Sequence, residues 1–276
     1  MEMKYSKLKL GLAALVLASL AAVPSIASAA SVRQPPSSVG ASTLTPVPSN
    51  VANAKFENQN GTPETLASLK GKTIFLVPLL TLCGDTCPFT SGNLLGLQNI
   101  LNAAKASNVA VVAIDVDPYR DTVHRIAAYA KIVGGDFQIW TEQGPTSTPL
   151  LTKKDLAEKN PVGTGDVNAN LLAIEKFFGW TVQVVPQGTP PSTDWLAPHE
   201  KLTYDIQHSD GFWVINPKLQ VRFVSGDLPA FTGTLSKTLA TFMGYKSNIY
   251  KVPVYKRGWT VAQGLQAIEW VDQKTY

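Results

Sequence analysis

Residues Thr81–Ser91 read TLCGDTCPFTS and hold both cysteines of the 276-residue chain, Cys83 and Cys87, with three residues between them. The stretch decides the fold because of what flanks it. Before it runs TIFLVPLL (Thr73–Leu80), whose β-branched and aromatic residues predict a buried strand. After it comes GNLLGLQNILNAA, where Leu94, Leu97, Ile100, Leu101 and Ala104 recur at helical spacing and predict a helix over Asn93–Ala106. A strand therefore runs into a loop bearing two thiols, and a helix opens behind the second. Pro88 suits a first helical turn, where its missing N–H would have had no partner. Cys87 then lies near the positive end of that helix, where a thiolate is expected to be favoured. Two sulfurs at this spacing fit a clip for a soft metal ion, a disulfide, or a redox pair. A bridge across four residues would constrain the unfolded chain little. The C-x-x-x-C spacing departs from the redox C-x-x-C and leans toward a metal clip.

Working toward the N-terminus, Pro78 is awkward in a central strand, so the strand is expected to end near Val77 or to bulge there. Gly61–Leu69 reads as one turn of helix before Gly71, and Val51–Phe56 as a short strand. Ser31–Asn50 is rich in Ser, Pro and Thr without a period and reads as a spacer or mobile terminus. Ahead of it, Lys4, Lys7 and Lys9, the apolar Leu10–Val23 and the triplet Ala27-Ser28-Ala29 form a secretory signal, with retention as a membrane anchor as the alternative. Removing residues 1–29 lowers the net charge from +4 to +2. That value, without an arginine cluster, gives no support to nucleic acid as a partner.

Toward the C-terminus, Val109–Val116 (VAVVAIDV) is a nearly continuous apolar strand of the parallel, doubly covered type. Asp115, Asp117 and Pro118 stand at its carboxyl end. A helix over Asp121–Val133, stopped by Gly134-Gly135, precedes a short strand at Phe137–Trp140. The polar stretch Thr141–Asn168 reads as an insertion. A helix at Ala169–Phe178, a strand at Trp180–Val185 and a proline-rich loop over Pro186–His199 follow. Tyr204–His208 leads into a hairpin of Gly211–Asn216 and Leu219–Ser225. A last core helix is expected within Leu228–Met243, and Gly244–Tyr276 reads as an extension with a helix from Thr260 to Val271. The order predicts a thioredoxin-like α/β sandwich with a central mixed sheet and a thiol site at the carboxyl end of a strand, where open α/β sheets place their chemistry. The predicted division is 1–29 signal peptide, 30–50 spacer, 51–243 thioredoxin-like domain with its insertion at about 141–168, and 244–276 extension.

Of the three histidines, His124 reads as a surface residue of a helix and His199 as a loop residue. His208 differs, because a thioredoxin-like sheet would bring QHSDG near the cysteine loop. Two thiolates and an imidazole form a soft donor set suited to copper; zinc would want a fourth donor. The same groups would serve thiol–disulfide exchange, with Cys83 and Cys87 as the reacting pair. Asp85, Asp115 and Asp117 are candidates for the layer behind the ligands, or for ordinary loop and helix caps. No Gly-rich phosphate loop, H-E-x-x-H or G-x-S-x-G is present.

CGDTCP (Cys83–Pro88), AIDVDPYRDT (Ala113–Thr122) and YDIQHSDGFWVIN (Tyr204–Asn216) together resemble the SCO/SenC family, exported thioredoxin-like copper proteins that assist assembly of the Cu(A) centre of cytochrome c oxidase. The resemblance covers about Leu66–Met243. It implies that Cys83, Cys87 and His208 bind copper, as Cu(I), Cu(II) or both, and that Asp85 matches the family's aspartate within the cysteine loop. It also implies a location on the extracytoplasmic side. The implied partners are an apo copper-site protein such as an oxidase subunit and a copper donor or thiol reductant. Gly84 departs from the proline that commonly follows the first cysteine. The implied role is a metallochaperone with no turnover chemistry required. The alternatives are a thiol–disulfide oxidoreductase for an exported partner and a secreted binding protein whose cysteines only staple its surface.

Overall fold

The computed structural model describes residues 33–142, 168–195, 199–230 and 258–276. Its centre is the strand foreseen from the apolar run, β4 (Thr73–Leu79), with every residue buried. It pairs in parallel with β5 (Val109–Asp115) along its whole length, Thr73 opposite Val109 and Leu79 opposite Asp115. On its other side it pairs antiparallel with β9 (Phe212–Ile215), from Ile74 to Leu76 only. Beyond Leu76 the strand therefore lacks the β9 neighbour. That is how Pro78 is accommodated: the strand neither stops at Val77 nor bulges but runs through to Leu79, opposite β5 alone. The predicted hairpin is present, with β9 antiparallel to β10 (Gln220–Ser225).

The remaining elements complete a mixed sheet in the order β1-β10-β9-β4-β5-β6-β2-β3. Here β1 is Ala41–Pro46, β2 Phe56–Asn58, β3 Pro63–Glu64 and β6 Gln138–Thr141. Two expectations are corrected. Part of the stretch read as a spacer is β1, which pairs antiparallel with β10 at the sheet edge. Val51 lies in a single helical turn, α1 (Ser49–Ala52), and the short strand begins only at Phe56. The core of two parallel strands beside an antiparallel hairpin, β10-β9-β4-β5, is thioredoxin-like.

Helix α2 (Cys87–Ala103) starts earlier than its apolar repeat suggested, taking in the second cysteine and Pro88. Helix α3 (Val123–Val133) is capped by the Thr122 side chain and ends at Gly134 in the left-handed region, φ 75°. Helix α4 (Ala169–Phe178) ends in the same way at Gly179. The expected strand near Trp180 is β7 (Val182–Pro186), but it does not join the main sheet. It pairs with β8 (Tyr204–His208) in a separate two-stranded ribbon, Val182 opposite His208. Almost all of the insertion at 141–168 and the helix expected within Leu228–Met243 lie outside the described residues, as does the signal segment.

Helix α5 (Val261–Asp272) belongs to the stretch read as an extension, yet it packs as part of the core. Thr260 and Gln263 form a capping box at its start. Ahead of it, the buried Trp259 meets Phe75 and Phe212 at ring separations of 5.7 and 5.2 Å. Gly264 lies against Phe75, where an added Cβ would come within 3.2 Å of the ring. Phe75, Phe212 and Phe223 stack in series on this face. On the opposite face Trp213 packs with Phe178 and Trp180. Among the described residues no helix is long and apolar enough to cross a membrane.

Candidate metal and thiol site

The chain leaves β4 at Leu79, and the thiol loop follows it. Thr81 fixes the start of that loop. Its N–H and hydroxyl both donate to the buried Asp121 carboxylate, at 2.9 and 2.5 Å, and its carbonyl accepts from the Trp195 indole at 3.0 Å. Cys83 is half-buried and receives the Asp85 N–H at its sulfur, 3.4 Å away. Cys87, the first residue of α2, is buried. Both cysteines are free thiols.

The imidazole arrives from the ribbon. His208 ends β8, and its Nε2 stands 3.2 Å from Cys87 Sγ across 121 residues of sequence. Its Nδ1 lies 2.8 Å from the Ser209 carbonyl oxygen, which can only accept. Nδ1 therefore carries the proton, and in the neutral ring the Nε2 lone pair is turned toward the sulfur. Gly211 allows the turn that follows. Its φ is 110°, and a Cβ there would collide with the Ser225 carbonyl oxygen at 2.0 Å.

The two thiols are electrostatically unlike. A hydrogen bond from Cys87, first, and the positive charge of His208 when its ring is protonated lower the Cys83 pKa to about 6 against the opposing effect of burial. Burial pushes the Cys87 thiol well up, with the neighbouring Cys83 adding to the effect. This reverses the expectation that the helix end would favour a thiolate at Cys87. Desolvation outweighs the partial charge of one helix terminus. Cys83 is the more acidic thiol of the pair.

Behind the site lies a buried charge cluster. Asp117 accepts from Arg120 and from the Tyr204 hydroxyl at 3.0 Å. Arg120 also donates to the Tyr204 carbonyl at 2.8 Å and stacks over the Tyr204 ring at 3.7 Å. Asp117 and Arg120 thus fasten the start of β8, four residues ahead of His208. Asp115 accepts from the Asp117 N–H at 3.1 Å, and burial, with Asp121's charge next, pushes its carboxyl well up. Asp85 is exposed at the loop. The contributions that sequence reading missed are those of Asp121, taken for a helix start, and of Tyr204 and Trp195. Their burial and bonds come from the tertiary fold and leave no local pattern. His124 is exposed on α3, and His199 is exposed beside Glu200.

Cys83, Cys87 and His208 form a chain of contacts, sulfur to sulfur to imidazole, not a closed cage. Among the described residues no three His, Cys, Asp or Glu side chains stand as a ready-made metal set. Cys83 opens onto a cleft of about 420 Å³ whose walls include Asp85, Asp205, His208, Asp210 and Leu228.

The SCO1/SenC family model matches residues 48–145. No curated protein matches the chain in sequence. Several solved structures are similar at low identity. Bradyrhizobium japonicum ScoI with copper bound shares 18% identity over 75% of this chain and 99% of its own, at a TM-score of 0.46. Thermus thermophilus apo Sco1 shares 19% over 78% and 95%, also at 0.46. Yeast Sco1 shares 17% over 68% and 88%, at 0.44. The matched segment includes Cys83, Cys87 and the Asp115–Asp121 cluster, and it ends before the ribbon that carries His208. The similarity to the SCO1/SenC family model thus covers residues 48–145, the part of the chain that bears both thiols.

Proposed function

We propose that the protein is a copper metallochaperone that takes up copper through Cys83, Cys87 and His208 and passes it by ligand exchange to an apo copper site on an exported partner. The observation that carries this reading is the 3.2 Å approach of His208 Nε2 to Cys87 Sγ. Two sulfurs and an imidazole whose free nitrogen already faces a sulfur match the soft, low-coordinate preference of Cu(I). Loading would require the Cys87 proton to leave and the half-buried Cys83 to turn onto the ion. An open contact chain accommodates that more readily than a finished cage. The solved ScoI structures from Bradyrhizobium japonicum and Arabidopsis thaliana are described with copper bound, and cargo of the same kind is proposed here. The partner would be a copper-site protein such as a cytochrome c oxidase subunit, met outside the cytoplasmic membrane after removal of the signal segment or with it kept as an anchor.

Anaerobic Cu(I) titration against a chromogenic chelator tests the reading. The reduced chain should bind one equivalent tightly, and the Cys83–Cys87 disulfide form should bind it at least about 100-fold more weakly, because oxidation consumes both thiolates. His208→Ala should weaken binding by about 10- to 100-fold. Equal affinity in reduced and oxidised protein, or no effect of His208→Ala, would remove the metallochaperone assignment.

A second reading is favoured by the unequal thiols. A Cys83 thiolate beside a protonated Cys87 suits attack on a partner disulfide. Cys83 sulfur would bond to one target sulfur and expel the other as thiolate. Cys87, once deprotonated, would then close Cys83–Cys87 and release the reduced target. This reading predicts rapid exchange with a protein disulfide and little dependence on His208.

A further inference from the structure

The cleft in front of Cys83 has a character that copper binding alone does not require. Carboxylates of Asp85, Asp205 and Asp210 line it, and no lysine or arginine does among the described residues. The chain as a whole carries a formal charge of +4, so the cleft is acidic against the trend of the molecule. Its apolar wall is formed by Leu82, Leu202 and Ile206, and at the rim stands Leu228. Leu228 is 45% exposed, one of three large hydrophobic side chains left so exposed among the described residues. The cleft runs beside β8, whose sheet contains β7 as its other member, so among the described residues β8 has a strand on one edge and not on the other. Ile206 N–H is taken by the Asp205 carboxylate at 2.8 Å instead of by a further strand.

We infer that this cleft docks an extended, cationic segment of the copper-accepting partner, its basic side chains meeting Asp205 and Asp210 and an apolar side chain covering Leu228. The inference rests on the copper-delivery reading for the partner's identity, but its physical basis is the cleft itself. A segment lying along β8 passes over Cys83, which lines the cleft together with His208. Charge complementarity at a rim mainly raises encounter rate and selects among partners. Asp205 and Leu228 lie outside the proposed ligand set, so they can be altered without touching copper binding.

The test uses the reduced full chain and two fluorescent peptides of one length and apolar content, with serine in place of any thiol. One carries lysines and the other glutamates. Anisotropy titration at about 0.01 M salt should show the lysine peptide binding roughly tenfold tighter, and the preference should collapse near 1 M, where the Debye length falls to about 3 Å. Asp205→Lys should abolish the preference, and Leu228→Ala should weaken both peptides alike, with Cu(I) affinity unchanged in each variant. Equal binding of the two peptides to the unaltered protein, or a preference indifferent to both salt and Asp205→Lys, overturns the inference. The parallel Cu(I) titration separates the two claims. Lost copper binding with the lysine preference intact counts against delivery and for the docking cleft. Tight copper binding without a preference counts against the cleft alone.

Discussion

At Cys83 and Cys87 two forces of opposite sign meet, and their balance sets what the site can do. A helix start favours negative charge by about 0.3–1 kcal/mol, whereas taking an unpaired thiolate out of water costs several times that. Cys87, 1% exposed, holds its proton more tightly than Cys83. Alkylation of the reduced protein should therefore proceed at Cys83 first, with a rate that rises through a midpoint at about pH 6. Peptide mapping over a pH series checks this. In Cys87→Ala the midpoint should move up toward the ordinary thiol value of 9.0, because the largest cause of the depression is removed. A midpoint unmoved by that substitution would show that His208 and the backbone N–H groups of the loop hold the thiolate. The thiols and their spacing were legible in TLCGDTC. Which of the two ionises was not, since burial of Cys87 depends on strands and helices distant in sequence.

Among the elements, the ribbon of β7 and β8 depends on a few polar contacts. Arg120 bonds Asp117 and Tyr204, and Asp117 is wholly buried. Arg120→Ala should leave a buried carboxylate unpaired and lower stability by about 3–5 kcal/mol. Urea unfolding measures the loss, and the copper affinity of the folded fraction should fall with it as His208 loses its fixed approach. Helix α5 is the other element whose importance exceeds its sequence signal. Its periodicity predicted a helix from Thr260, and the helix is there, but nothing local shows that Trp259 packs against the stacked pair of Phe75 and Phe212. Trp259→Ala should cost about 3–5 kcal/mol. A loss below about 1 kcal/mol would show that α5 is dispensable. The apolar runs of β4 and β5 were readable because strands covered on both faces carry their signal in every residue. Strand β1 was not, because an exposed edge strand of Ser and Thr has the composition of a linker.

Across the whole molecule, pH acts far from the thiols as well. Glu175 on α4 is buried, and its Oε1 has no hydrogen-bond partner among the described residues. Burial, with Glu142's charge next, raises its pKa from 4.5 to about 7. The folded state therefore binds the proton more tightly than the unfolded state. This contribution to stability is full below the unfolded value of 4.5 and is lost as pH rises through about 7. Glu175→Gln should remove the dependence, gaining on the natural protein by up to about 3 kcal/mol between pH 5 and pH 8. Parallel urea curves at the two pH values check the sign. A gain toward acid would contradict it.

The two halves of the proposed ligand set ride on different sheets, the cysteines behind the central strand and the histidine at the tip of the small ribbon. An ion held by all three would act as a rivet between the sheet and the ribbon. Backbone amides of 182–186 and 204–208 should then exchange with deuterium more slowly once the rivet is in place, while those of β4 and β5 keep their pace. Occupancy would be felt as stiffness at the periphery, giving a partner a mechanical cue for telling a laden carrier from an empty one.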